Sequence, residues 1–160
     1  VRRIALGAAL EASRACGRFV RVPLDPPARV SGDWVRALLV GYARPAGTDA
    51  TDATDATDAS DATDAKGPRA PRVYADVCRH QAIPLEADEP LEACAAHDAW
   101  FFVAPYADDR LHLLCHHHGA LYRTDDGVCV SGPCFGASLI AFETVFEGGA
   151  WLALLPDALA

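Results

Sequence analysis

Apolar side chains in this chain alternate with polar ones over a few residues, or gather in short, mostly apolar runs, and then stop at a turn signal. Residues 18–22 (RFVRV) alternate ahead of a proline-rich turn at 23–27. Residues 34–42 (WVRALLVGY) form an apolar run with β-formers at both ends, and 73–77 (VYADV) form a shorter one. Further short runs follow at 99–104, 111–114, 120–123 and 128–130. The last two, 138–146 and 150–155, flank Gly148-Gly149, a strong hairpin signal. Helical spacing is credible only near 4–15 and 90–97. Many short strands punctuated by Gly, Pro and Asp predict an all-β fold, an antiparallel sandwich or barrel.

Residues 48–65 break this pattern. They read TDA-TDA-TDA-TDA-SDA-TDA, with a period that fits neither helix nor strand and with no large apolar side chain. Such a segment buries too little to offset its ordering entropy, and it predicts a disordered acidic insertion in a surface loop. Calcium binding by the aspartates is disfavoured, because tight calcium loops need a turn glycine and convergent ligands. The repeat also changes the meaning of the net charge. The chain carries -8 over 160 residues, and without the six repeat aspartates the remainder carries -2. The total charge argues against a nucleic-acid or anionic-membrane surface, but with the acidity gathered in one loop the nearly neutral body says little about its partners. At this length one domain is expected, over 17–155, with 1–16 as an N-terminal lead-in. No apolar run reaches the ~20 residues of a membrane helix. The weak leader-like start has no convincing small-residue cleavage site, which points to the cytoplasm.

Six cysteines without an export signal favour metal ligation over disulfides. Two steps stand out, Cys78-Arg79-His80 and Cys115-His116-His117-His118-Gly119, each offering a thiolate and an imidazole. Split as C-x-H and C-x-x-H, the donors suit a two-iron cluster in which one iron takes both sulfurs and the other both nitrogens. The second step continues through Ala120, Tyr122 and Gly127 to Ser131-Gly132-Pro133. This order resembles the Rieske ferredoxin family, whose second cluster loop reads C-x-x-H-G-x-x-aromatic and precedes a Gly-Pro loop. The resemblance covers roughly residues 70–155. It implies a Rieske-like fold with a smaller cluster-binding part at 76–135, and one [2Fe–2S] cluster per chain held by Cys78, His80, Cys115 and His118. It also implies one-electron transfer between redox partner proteins, a reductase and an oxygenase or other acceptor.

Alternatives exist at the second loop. Cys94-Ala-Ala-His97 is also a C-x-x-H step, but Asp98 rather than glycine follows it. Choosing Cys115 and His118 makes 85–109 an insertion carrying Cys94 and His97. His116 and His117 compete with His118, which has the adjacent glycine. The remaining cysteines, Cys16, Cys94, Cys129 and Cys134, are expected as buried or free thiols. The loops lack the cysteine pair that bridges them in high-potential members of the family. Ala120 stands where a hydroxyl often donates to a sulfide, although Tyr122 can donate to a cluster sulfur. Both features imply a lower-potential, ferredoxin-like centre, with a midpoint that falls at alkaline pH as the histidine ligands deprotonate. An electron-transfer component is thus favoured over a catalyst in its own right. An oxygenase or oxidoreductase subunit and a Cys2His2 zinc module are the alternatives.

Overall fold

The computed structural model describes residues 1–16, 19–43, 69–85, 112–115, 117 and 119–156, with the Cys16 side chain excluded. The acidic repeat, the 85–109 insertion beyond Leu85, and the expected elements at 90–97 and 99–104 lie outside these residues. Nine strands and one helix are present among the described residues. All strand pairings are antiparallel, in three three-stranded sheets, as the all-β expectation required.

The first sheet joins the N-terminus to the C-terminal hairpin. β1 (Arg2–Ala5) pairs with β9 (Ala150–Leu155), which pairs in turn with β8 (Glu143–Glu147). The β8–β9 turn is Gly148-Gly149, both at positive φ (58° and 81°), the conformation a two-residue hairpin demands. Between β1 and the second sheet runs α1 (Gly7–Cys16). Its alanines favour helix, and Leu6, Ala9, Leu10 and Ser13 form the buried i, i+3, i+4, i+7 stripe.

The second sheet is β2 (Val20–Val30), β3 (Asp33–Gly41) and β4 (Arg72–Ala75), with β3 central. Residues 23–27, expected as a turn, instead lie within β2. The register against β3 jumps between Pro23 and Ala28, so the prolines occupy an irregularity of an edge strand, where missing N–H donors are tolerated. The actual reversal is Ser31-Gly32, again both at positive φ. The open side of β4 is covered by 140–142: Ala75 N–H donates to Ile140 O (2.8 Å) and Phe142 N–H to Val73 O (2.9 Å).

This sheet is buried on both faces. Leu38, Val40, Val73 and Ala75 join α1 and β9 in one core, while Phe19, Leu39 and Tyr74 point into a second. Strand alternation thus divides the apolar run of β3 between two cores. The third sheet, β5 (His112–Leu114), β6 (Leu121–Arg123) and β7 (Cys129–Ser131), packs Leu113, Tyr122 and Cys129 into the second core. Leu38 is fully buried at the centre of the first. Leu38→Ala is expected to cost about 3 kcal/mol, measured by urea denaturation.

Candidate metal centre

Two loops leave the second core with the same backbone closure. In the first, Cys78 N–H donates to Ile83 O (2.7 Å) and Ala82 N–H donates back to Cys78 O (2.9 Å). In the second, Cys115 N–H donates to Ala120 O (2.8 Å) and Gly119 N–H donates to Cys115 O (2.8 Å). Each loop starts on a fully buried cysteine and bends at its fifth residue through positive φ, 53° at Ala82 and 68° at Gly119. Both cysteines belong to the same buried cluster as Tyr122. His80 and His117 sit exposed on their loops, whereas His116 and His118 lie outside the described residues. Cys94 and His97, the competing step, lie outside them as well. Among the described residues no three His, Cys, Asp or Glu side chains converge as a metal site.

The first loop is anchored by a carboxylate that the sequence reading did not single out. Asp76 is buried, accepts Leu85 N–H (2.9 Å), and pairs with Arg21 Nε (2.7 Å). It joins the loop's two ends to each other and to β2. The second loop is braced by close packing. Gly132, at φ 105°, lies so near the second loop that a Cβ there would be 2.8 Å from Ala120 Cα. The Ser131-Gly132-Pro133 segment therefore abuts the Cys115 loop as a third loop.

Tyr122 connects the first loop to this third one. Its hydroxyl accepts Arg79 N–H (3.0 Å) and lies 3.3 Å from Cys78 Sγ and 3.0 Å from Cys134 Sγ. A phenol has one proton to give and two acceptor sites, so three partners use it fully. With Cys78 as a thiolate, the phenol proton has to point at it, since the sulfur then has nothing to donate. Beyond Tyr122, Cys134 Sγ lies 3.4 Å from Cys129 Sγ, and Cys129 donates to Ser131 O (3.1 Å). Burial, then the contacts with Cys134 and Cys78, push the Tyr122 phenol far above its ordinary value. Burial likewise raises Tyr74, whose hydroxyl donates to Thr124 O (3.0 Å), to about 12.

The donor chemistry fits an iron–sulfur group better than a hard cation. Two buried thiols, an exposed imidazole and hydrogen-bond donors aimed at sulfur are soft and borderline ligation. Cys78, His80 and Cys115 are the expected ligands among the described residues and could hold such a group, although the three are not drawn together there.

No family model and no curated protein matches the chain. Among solved structures, it is similar to the terminal oxygenase of carbazole 1,9a-dioxygenase from Nocardioides aromaticivorans IC177. That likeness has TM-score 0.41 and 13% identity over 96% of this chain and 35% of the other. The corresponding terminal oxygenase from Novosphingobium sp. KA1 gives TM-score 0.41 and 16% identity, over 94% and 36%. The reduced complex between oxygenase and ferredoxin in carbazole 1,9a-dioxygenase gives 0.41 and 12%, over 91% and 32%. The chain spans about a third of the length of these chains. At this level the likenesses carry no functional weight, and the reading rests on the two loops.

Asp76→Ala leaves Arg21 and Leu85 N–H without their carboxylate, and is expected to cost about 3 kcal/mol or more, read from the shift in urea midpoint. The two raised phenols predict an alkaline signature. At pH 11 the native protein should show two fewer tyrosinates, by ultraviolet difference spectrum, than the unfolded chain, whose phenols have pKa about 10. The stability that goes with this is complete below about pH 10 and declines as pH rises towards 12 and beyond.

Proposed function

We propose that this chain binds one [2Fe–2S] cluster through Cys78, His80, Cys115 and His118, in the Rieske manner. It then serves as a ferredoxin-like electron carrier in the cytoplasm, taking single electrons from a reductase and passing them to an oxygenase or similar acceptor. Residues 17–155 would form the single domain, with 76–135 its cluster-binding part and 85–109 an insertion. The observation that supports this best is the matched closure of the Cys78 and Cys115 loops. Two loops with the same hydrogen bonds and a buried sulfur at the same position are suited to grip one group from two sides.

When bound, the cluster supplies reversible one-electron chemistry at a potential raised by its neutral histidine ligands. The chain's own residues divide the remaining work. Cys78 and Cys115 keep their sulfurs inside the second core, away from water. His80 stands at the exposed rim, where an imidazole edge can meet a partner protein. Tyr122 gives its proton to Cys78 and so disperses charge on the sulfur. Its neighbouring N–H, from Arg79, holds the phenol oxygen in place.

Anaerobic reconstitution with ferrous iron and sulfide tests this reading. Two irons and two acid-labile sulfides per chain are expected, with a dithionite-reduced electron paramagnetic resonance spectrum of lower average g than an all-cysteine centre, and a midpoint below about +200 mV. Cys115→Ser and His118→Ala should abolish the signal, and His97→Ala should leave it. A colourless protein refutes the proposal. One zinc per chain without sulfide would replace it with a structural Cys2His2 module.

A further inference from the structure

Two thiols next to the candidate centre, but outside its ligand set, lie close enough to react with each other. Cys129 Sγ and Cys134 Sγ are 3.4 Å apart, and both cysteines are reduced. A disulfide places its sulfurs at about 2.05 Å. The gap to be closed is thus about 1.4 Å, within the reach of a small side-chain rotation. The backbone between the two is already folded into a closed turn. Gly136 N–H donates to Cys129 O (2.9 Å), Ala137 N–H to Cys134 O (2.9 Å), and Cys129 N–H to Ala137 O (2.7 Å). Bringing the sulfurs together therefore demands no unfolding and little further chain entropy.

The two thiols differ in access. Cys134 is half-buried in a turn whose neighbours Pro133, Phe135 and Gly136 are all exposed, while Cys129 is buried on β7. A small reagent meets Cys134 first. Burial, reinforced by Cys134 as neighbour, pushes the Cys129 thiol up to about 11, which disfavours it as the first thiol to attack.

We propose that Cys129 and Cys134 form a redox-active dithiol site that closes to an intramolecular disulfide on reaction with a low-molecular-weight disulfide of the glutathione type. The Cys134 thiolate attacks one sulfur of the small disulfide, whose S–S bond breaks. The departing thiolate takes up the proton that Cys134 released. Cys129 then gives up its proton and attacks Cys134 Sγ, expelling the second small thiolate, which is protonated in turn. Two protein thiols are oxidised by two electrons, and one small disulfide is reduced to two thiols. No iron takes part, so the site stands or falls separately from the cluster reading.

The sequence offers a direct readout. No lysine or arginine lies within 124–160, so trypsin, cutting after Arg123, releases Cys129 and Cys134 on one peptide, and 124–160 holds no other cysteine. The full chain is equilibrated with oxidised and reduced glutathione, quenched in acid, alkylated, digested and weighed. The expected product is that peptide two hydrogens lighter and without alkyl groups, restored to double alkylation by dithiothreitol. Half-oxidation should require a smaller disulfide-to-thiol ratio in the native protein than in urea. Cys129→Ser should trap a glutathione adduct on Cys134, and Cys134→Ser should lose adduct formation on this peptide. A native peptide that stays doubly alkylated in a mixture that oxidises the urea-unfolded chain overturns the proposal. So does a cross-link from either cysteine to the peptide holding Cys78, or unchanged modification in Cys134→Ser.

Discussion

A sheet buried on both faces has to find apolar cover twice, and in this protein that requirement organises everything else. β3 and β4 send alternate side chains to opposite sides. Leu38, Val40, Val73 and Ala75 therefore need α1 and β9 beneath them, and Leu39 and Tyr74 need a second layer above. Each fully buried large side chain contributes about 1.5–3 kcal/mol of transfer free energy, which is lost if its face meets water. The third sheet is too small to stand alone, since three strands of three residues bury little by themselves. It is held because it roofs the second face. The cysteine loops begin where that roof meets the two-faced sheet, Cys78 just after β4 and Cys115 just after β5.

That location sets the electrostatics of the site. A thiolate in an apolar layer is costly unless opposite charge or hydrogen-bond donors face it. Tyr122 is delivered to the right place by the same alternation, because β6 directs it into the core while Arg123 faces solvent. A phenol is protonated at neutral pH in any case, and burial extends that well into the alkaline range, so it stays able to donate. The S–H and O–H groups from Cys78 through Tyr122, Cys134 and Cys129 to Ser131 O form one continuous chain of short contacts. Protonation of one member constrains the orientation of the next. Cys78 and the dithiol are therefore neighbours in hydrogen bonding, although they belong to different loops.

Much of this was legible in the sequence because strands carry a local signature. The apolar run at 34–42, the run at 150–155 and the runs leading into both cysteines became strands close to where the pattern placed them, whereas of 138–146 only the part from Glu143 on is strand. What local pattern hides is pairing at long range. Ile4 and Ala5 read as the start of a helix until β9 is beside them, and the prolines of 23–27 read as a turn until β3 fixes them as an edge irregularity. At the site, residue types and the Gly132-Pro133 signal were visible. The equivalence of the two loops was not, because the left-handed position is Gly119 in one and Ala82 in the other. Asp76 was equally hidden, since nothing in the local sequence shows which arginine a lone buried carboxylate will meet.

The two loops share a closure but not a support, and this gives them different weaknesses. An alanine at φ 53° pays about 1 kcal/mol for a conformation glycine adopts freely, so the first loop needs an external anchor. Asp76 supplies it from beneath, through one hydrogen bond to Leu85 N–H and one ion pair to Arg21. The second loop bends at a glycine and needs no such anchor, but it is fitted against Gly132 with no room for a methyl group. Charge therefore governs the Cys78 side, and volume governs the Cys115 side. A group gripped between them would feel a change in protonation mainly through the first loop and a change in packing mainly through the second. The third loop packs Gly132 against the second loop and is linked to the first through the Tyr122 hydroxyl, which meets both Cys134 and Cys78.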